Sequence, residues 1–259
     1  MANFILVHGA WHGAWCWRDV TQGLIRAGHR AHAVTLTGVG ERAHLMSPAI
    51  TLETHISDVV NAIEMEEMDE VVLAVHSYAG MLGTAVADRM PKRLRHLVYV
   101  DAVVPRPGES WSSTHASATR EARLAAAQAS PDFSFPPPDP VVFGLQADQY
   151  EWVKRRQTPH PGHTYSAALA FDPLRVASVA RTFVNCTRPP LATSWPCRGP
   201  PVLVRCLAGR GRRPRRPAAA RPRPDGQRAG RVDAPAGGLR YLSAPKTFLS
   251  TALPVPTGS

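Results

Sequence analysis

Four short apolar runs, each followed by glycine or polar residues, constrain this chain more than any other feature. The runs are residues 3–8, 31–36, 70–75 and 94–100. The segments between them have helical spacing, and Ile56, Val59 and Ile63 fall on one face of such a helix. Strands that alternate with helices in this way indicate an α/β fold, with a mostly parallel sheet and helices on both of its faces.

Residues that can do chemistry stand directly after these runs. They lie in His8-Gly9-Ala10, residues 37–40, His76-Ser77-Tyr78 and Asp101. In a parallel sheet, ligands bind beyond the carboxyl ends of the strands, which is where these segments should meet. A serine on a sharp turn between a strand and a helix is exposed and faces the helix N-terminus, so Ser77 is a candidate nucleophile. A serine at such a junction can also serve only as a helix cap.

An acyl-transfer site needs two backbone N–H donors for the oxyanion. One donor comes from the residue after the nucleophile, here Tyr78, and the other from the loop after an early strand, here Ala10. An ordinary glycine turn is the alternative interpretation of Gly9. Because both features occur in the right order and at strand ends, together they favour a catalytic site.

The composition of the chain changes at about residues 105–165, with an alanine-rich stretch followed by five prolines between Pro131 and Pro140. This pattern predicts a helical lid inserted into a core domain of residues 1–190. The lid is rich in aromatic residues, which could form an apolar wall for an ester or the lid's own core. They are Trp111, Phe133, Phe135, Phe143, Tyr150 and Trp152.

Three segments of the first 190 residues resemble the α/β-hydrolase fold family, in its methylesterase and hydroxynitrile-lyase-like branch. They are residues 6–17 (LVHGAWHGAWCW), 36–42 (LTGVGER) and 76–80 (HSYAG). The texture is most similar to that of bacterial esterases such as the pyrethroid-hydrolase-like enzymes. The resemblance implies a Ser-His-Asp/Glu triad that hydrolyses a small carboxylic ester through an acyl-enzyme, without a metal or organic cofactor. Hydroxynitrile lyase chemistry, which uses the same triad, is an alternative.

The chain departs from the family pattern at three places. Val75 and Ala79 replace the glycines of G-x-S-x-G, and the branched side chain of Val75 is expected to crowd the turn. The family's histidine follows the last strand, but the final histidine here is His163, so His160 or His163 could be only a makeshift base. Asp101 is the substitute candidate for the acid. A catalytically impaired hydrolase that binds a small apolar ligand is therefore a second hypothesis.

Residues 191–240 differ in kind from what precedes them. Ten arginines and two aspartates between Gly209 and Arg240 account for most of the formal net charge of +10, and the segment lacks apolar periodicity. It is either a basic linker or a GC-rich gene read out of frame. Residues 237–245 (GGLRYLSAP) resemble the family's Gly-His-Asp-x-Met-x-Ser-x-Pro region, with Gly238 at the position of the histidine. Residues 241–259 are predicted to be a C-terminal remnant that is partly helical.

The distribution of charge, the cysteines and the length of the apolar runs indicate which partners and which location to expect. The basic charge is confined to one segment rather than spread over a folded face, so nucleic acid is not the expected partner, although an Arg-rich tether remains a weaker hypothesis. The four cysteines form no C-x-x-C pair, which disfavours both a disulfide framework and a zinc site. No apolar run is long enough to span a membrane, and no leader is evident, so a cytoplasmic location is expected. The sequence leaves the oligomeric state open.

Overall fold

A computed structural model of the chain describes residues 1–186 and the backbone of a strand at residues 203–205. The strands are β1 (Asn3–Val7), β2 (Arg30–Val34), β3 (Val71–His76), β4 (Leu94–Val100), β5 (Ser134–Phe135), β6 (His160–Pro161), β7 (Arg181–Asn185) and β8 (Leu203–Arg205). The α-helices are α1 (Arg18–Arg26), α2 (Leu52–Met65), α3 (Gly80–Arg89), α4 (Ser117–Ala129), α5 (Ala147–Lys154), α6 (His163–Ser166) and α7 (Pro173–Ala177). Short 3-10 turns occur at Ala14–Trp17, Gly40–Leu45, Ser77–Ala79, Pro91–Arg93, Ser112–Thr114 and Pro140–Phe143.

The main sheet has the strand order β2-β1-β3-β4-β7-β8, and all of these neighbouring pairs are parallel. Its register aligns the strand ends that carry the candidate site. Val7 of β1 pairs with Val75 of β3, and His76 pairs with Val100 of β4. The chain therefore leaves β1, β3 and β4 at one edge of the sheet, which we call the carboxyl edge.

Helices cover both faces of this sheet, as predicted. Alternate residues of β1 enter two separate apolar clusters because successive side chains of a strand point to opposite faces. Ile5 belongs to the cluster that contains Ile56 of α2, whereas Phe4 belongs to the cluster that contains Leu24 of α1. The central strands are buried on both faces, which explains why their sequences are continuously apolar rather than alternating.

The predicted elements are confirmed, with ends displaced by one or two residues. The helix predicted from the spacing of Ile56, Val59 and Ile63 is α2, and its N-cap is Thr51, which forms a reciprocal capping box with Thr54. Gly28 ends the α1 region with a φ of +82°, a conformation that glycine adopts without strain. The predictions for residues 191–240 and 241–259 lie outside the described residues, apart from the backbone of β8.

The chain between β4 and β7 forms a layer over the carboxyl edge. It contains α4 to α7 and an antiparallel hairpin in which Phe135 of β5 pairs with His160 of β6. Trp111, Phe135 and Tyr165 from this layer are buried in the same apolar cluster as Tyr78, the residue after the candidate nucleophile. The layer therefore lies directly against the candidate site.

Candidate active site

Ser77 lies on a left-handed turn between β3 and α3. Its φ is +53°, in a region that stores about 1–3 kcal/mol of strain for a residue with a side chain. A 3-10 turn at Ser77–Ala79 leads directly into α3. The residue is half-buried, and its hydroxyl has no hydrogen-bond partner among the described residues. The chain thus turns as sharply at this position as the sequence predicts.

The turn is held by close packing of α3 against β4 and β3. A Cβ on Gly80 would lie 1.9 Å from the carbonyl oxygen of Val103, so only glycine allows this approach. A Cβ on Gly83 would lie 2.9 and 3.0 Å from the two methyl carbons of Val75. Gly83 therefore leaves room for the branched side chain of Val75 on the side of α3, and the expectation that Val75 crowds the turn stays a prediction.

The early glycine turn lies against Ser77. Because Val7 pairs with Val75, the residues that follow β1 run beside those that follow β3. A Cβ on Gly9 would lie 2.9 Å from Cβ of Ser77 and 3.0 Å from Nδ1 of His76, so glycine is needed for this contact. The two turns that the sequence singled out are therefore in van der Waals contact.

The peptide that carries the Ala10 amide is oriented by His8. His8 Nδ1 lies 2.7 Å from the carbonyl oxygen of Gly9, and Nε2 accepts a hydrogen bond from the Leu36 amide at 3.1 Å. Nδ1 therefore carries the proton and donates to Gly9. Burial lowers the pKa of His8 to about 3, which keeps the ring neutral. Since C=O and N–H point in opposite directions in a trans peptide, this bond directs the Ala10 N–H away from His8.

The peptide that carries the Tyr78 amide is held in the same way. The amide of Val103 donates to the carbonyl oxygen of Ser77 at 3.0 Å, which fixes the plane of the Ser77–Tyr78 peptide. Neither the Tyr78 amide nor the Ala10 amide donates a hydrogen bond to any described residue. Two anchored peptides therefore flank the contact between Gly9 and Ser77, each with an unpaired N–H.

His55 fixes the side chain of Tyr78. Its Nε2 donates to the carbonyl oxygen of Thr37 at 2.8 Å, so its Nδ1 accepts from the Tyr78 hydroxyl at 3.1 Å. Burial lowers the pKa of His55 to about 4 and raises the pKa of Tyr78. The sequence analysis did not single out His55. Its position on the buried face of α2 was the available signal, because a buried imidazole needs hydrogen-bond partners.

The two lid histidines have different surroundings. His160 is fully buried, and its ring centroid lies 4.9 Å from that of Tyr78. Its Nδ1 accepts a long hydrogen bond, 3.4 Å, from the Trp11 amide, so Nε2 carries the proton and is a donor rather than a base. The ring of His163 stacks on Phe133 at 4.2 Å. The observed hydrogen bonding therefore does not support His160 as the proton acceptor for Ser77.

Asp101 follows β4 at the carboxyl edge, beside the position of Ser77 in the sheet register. Its φ is +44°, and its amide donates to the carbonyl oxygen of Val184 at 2.7 Å. Burial raises the pKa of its carboxyl group, and a hydrogen bond from the Cys186 backbone opposes this shift. No histidine of the described residues is hydrogen-bonded to this carboxylate, so its role as the triad acid stays a prediction.

The lid aromatics belong to two groups. Trp111 and Phe135 are buried and pack with Trp11, and the ring of Trp111 lies 4.9 Å from that of Tyr78. By contrast, Trp152 packs against Trp15, with ring centroids 4.9 Å apart. The first group is both part of the core and adjacent to the candidate site, so the two interpretations of the lid aromatics are compatible there.

Residues 1–186 contain neither a group of side chains suited to a metal ion nor a helix suited to a membrane span. No group of three or more His, Cys, Asp or Glu side chains in this part of the chain is arranged to hold a metal ion. Nor does any helix described there have the length and apolar character needed to cross a membrane.

Known proteins share both the sequence and the fold. Carbendazim hydrolyzing esterase of Nocardioides sp. (strain SG-4G) is 46% identical over 177 residues, which cover 65% of this chain and 73% of the relative. Methylesterase 7 of Arabidopsis thaliana is 26% identical over 203 residues, covering 71% and 77%. An extracellular α/β-hydrolase from a Paenibacillus species has a similar fold, with a TM-score of 0.66 at 21% identity, over 72% of this chain and 78% of that one.

A family model covers nearly the whole sequence. The model of the alpha/beta hydrolase family matches residues 4–251. This match agrees with the parallel sheet, the sharp turn at Ser77 and the adjacent glycine turn. The chain therefore belongs to the α/β-hydrolase family, in the branch that contains these bacterial and plant esterases.

Proposed function

We propose that this chain is a serine carboxylic-ester hydrolase that acts on a small apolar or aromatic ester. The observation that carries the proposal is the pair of anchored peptides beside Ser77. His8 holds the carbonyl of Gly9 and Val103 holds that of Ser77, which leaves the N–H groups of Ala10 and Tyr78 unpaired on either side of the turn. Preorganised donors of this kind stabilise a developing oxyanion.

In the proposed reaction, Ser77 Oγ attacks the ester carbonyl carbon and releases its proton. The negative oxygen of the tetrahedral intermediate is bound by the amides of Ala10 and Tyr78. Cleavage of the C–O bond then releases the alcohol, which takes up one proton, and leaves the acyl group on Ser77. Attack by water on this acyl-enzyme gives the carboxylic acid and restores the serine hydroxyl.

The proton acceptor limits the rate in this proposal. No imidazole among the described residues is hydrogen-bonded to Ser77, and the sequence has no histidine after His163. Loss of the histidine from such a triad costs about 10⁴ to 10⁶ in rate. This observation favours a second candidate function, a catalytically impaired hydrolase that binds a small apolar ligand beneath the lid.

The names of the relatives suggest the probes. Because they include a carbendazim hydrolyzing esterase and a plant methylesterase, aromatic methyl esters are the substrates to test first, with p-nitrophenyl acetate as an activated reference. We expect a slow burst of about one p-nitrophenolate per chain, because an ester with a good leaving group acylates Ser77 faster than water removes the acyl group, even without a histidine base. Ser77→Ala should abolish the burst, and Ser130→Ala, at a lid serine, should retain it.

Two other outcomes would contradict this proposal. Wild-type protein that shows no burst and matches Ser77→Ala would support the impaired hydrolase. Release of cyanide from mandelonitrile, together with an absence of ester cleavage, would support hydroxynitrile lyase chemistry instead.

A further inference from the structure

A second site candidate lies in the lid, around Arg123 of α4. Its guanidinium carbon lies 5.2 to 5.9 Å from the centroids of four aromatic rings, which we call the aromatic box. The box consists of Trp11, Trp111, Phe135 and Tyr165. Three of the four rings come from the lid, and the fourth belongs to the residue directly after Ala10.

The positive charge of Arg123 has no carboxylate partner within the part of the chain that is described. One guanidinium nitrogen donates to Nε2 of His115 at 2.9 Å, and burial together with the charge of Arg123 lowers the pKa of His115 to about 4. Burial also lowers the pKa of Arg123 itself. The aromatic faces stabilise the cation, but they accept none of its remaining N–H groups in a normal hydrogen bond.

Three more donors around the box lack an acceptor. The indole N–H of Trp11, Nε2 of His160 and the hydroxyl of Tyr165 are buried and make no hydrogen bond of normal geometry to a described residue. Burial lowers the pKa of Arg123 and raises the pKa of Tyr165, and a weak hydrogen bond from the guanidinium to the Tyr165 hydroxyl opposes both shifts, so this hydroxyl is an acceptor for Arg123 and lacks an acceptor of its own. Because Nδ1 of His160 accepts from the Trp11 amide, its Nε2 is a donor as well.

This combination is unusual because buried polar groups in proteins are nearly always paired. The box has unpaired donors, a net positive charge and flat apolar walls, and Arg123 itself is only partly buried. A ligand that supplied a negatively charged acceptor on a flat ring would satisfy all of these features.

We propose that the aromatic box binds an aromatic carboxylate, with Arg123 as the residue that determines this specificity. If the proposed ester hydrolysis by Ser77 holds, the preferred substrate is an aromatic half-ester, in which one carboxyl group is esterified and the other is free. One chain connection and one ring contact join the box to the groups that we propose to react. Trp11 follows Ala10 in the chain, and the ring of Trp111 packs against Tyr78.

Binding can be measured without catalysis, by titration calorimetry with benzoate and with its neutral analogue benzamide on the full-length chain. We expect wild-type protein to bind benzoate at least about tenfold more tightly than benzamide, because a charged acceptor strengthens the hydrogen bonds. Arg123→Met should remove this preference, and Arg123→Lys should restore part of it. Arg120→Met is the matched control, since Arg120 lies one turn away on α4 and donates to Ser117 and to the His115 carbonyl, while no ring of the box lies beneath its guanidinium.

The same titration on Ser77→Ala separates this proposal from the proposed function. If Ser77→Ala still prefers benzoate to benzamide, the aromatic box is supported even when the esterase assays contradict ester hydrolysis by Ser77. If the wild-type protein hydrolyses esters, the monomethyl esters of phthalate, isophthalate and terephthalate should be compared with methyl benzoate as substrates. At least one isomer should show a kcat/KM about tenfold above that of methyl benzoate, and this advantage should disappear in Arg123→Met.

Equal affinity of wild-type protein for benzoate and benzamide would overturn the proposal, as would unchanged selectivity in Arg123→Met. Circular dichroism and thermal melting check that each variant folds. If Arg123→Met does not fold, the wild-type comparison and Arg123→Lys still decide the question.

Discussion

The carboxyl edge around Ser77 and the aromatic box around Arg123 lie next to each other but are built in different ways. At the edge, strand register, glycine contacts and main-chain hydrogen bonds fix each group, and the imidazoles of His8 and His55 use both nitrogens. In the box, ring contacts position the groups and several donors lack acceptors. The difference indicates that main-chain hydrogen bonds position the groups of the edge and leave the amides of Ala10 and Tyr78 unpaired, whereas ring contacts position the groups of the box.

The largest expected effect comes from breaking the edge with Gly80→Ala. The added Cβ would overlap the carbonyl oxygen of Val103, so a backbone segment must move. We expect a loss of unfolding free energy above about 4 kcal/mol, or failure to fold, because backbone cannot yield as a flexible side chain can. Gly23→Ala in α1 is the control, since no atom lies within 4 Å of its new Cβ. It should stabilise the chain by up to about 1 kcal/mol in urea denaturation. Equal effects of the two substitutions would contradict the packing described for the turn.

A fall in pH should lower the unfolding free energy by the second-largest amount, because it protonates imidazoles at the carboxyl edge. His8 and His55 are buried and neutral, with pKa values of about 3 and about 4 in the folded state against 6.5 when unfolded. The unfolded chain therefore binds more protons as the pH falls from 6.5 towards 4, and stability is lost over that window. Each of the two should remove about 2 kcal/mol between pH 7 and pH 5.

Urea denaturation at pH 7, 6 and 5 measures this loss. The slope of the unfolding free energy against pH should become less steep in His55→Gln, which removes one of the titrating groups. A free energy that stays constant between pH 7 and pH 5 would show that these imidazoles are not buried as described.

Much of the edge could be predicted from the sequence, and the reason is physical. Strand ends and sharp turns follow from apolar runs and glycine positions, which are local, and parallel pairing then brings Gly9 and Ser77 together. The role of Gly83 as the partner of Val75 was missed because it depends on how α3 packs on β3. The sequence identified Ser77 as a candidate nucleophile but could not assign a base or an acid to it.

The box could not be predicted because its parts are distant in the sequence. Its rings come from four separate segments, and nothing in the residues next to Arg123 indicates that these rings surround it. His160 was a candidate base on residue type alone. Only the hydrogen bond from the Trp11 amide indicates which ring nitrogen carries the proton.

A double-mutant cycle on Gly83 and Val75 gives a smaller effect and sharpens the description of the turn. Gly83→Ala should cost about 1–3 kcal/mol, since the branched Val75 side chain has little freedom to move. In the Val75→Ala background the same substitution should cost at least about 1 kcal/mol less. Additive free energies in thermal or urea denaturation would mean that the two residues do not share this space.

Two buried tyrosines differ in whether the hydroxyl has a hydrogen-bond partner, and removing each hydroxyl should change stability only slightly. Tyr99 is buried and its hydroxyl lies 2.8 Å from that of Thr84, so Tyr99→Phe should cost about 1 kcal/mol. Tyr165→Phe removes a buried hydroxyl that lacks a partner of normal geometry and should change stability by less than about 0.5 kcal/mol. A larger loss for Tyr165→Phe than for Tyr99→Phe in urea denaturation would contradict the description of the box as unsatisfied.

We propose that Ser77 is a reactive nucleophile held between two anchored peptides. Labelling the full chain with a fluorophosphonate, followed by intact-mass analysis and peptide mapping, tests it most directly because the reagent reports activation of a serine without requiring turnover. We predict one adduct per chain, located on Ser77 and absent from Ser77→Ala. An unlabelled wild-type chain, or an adduct on another residue, would contradict the account.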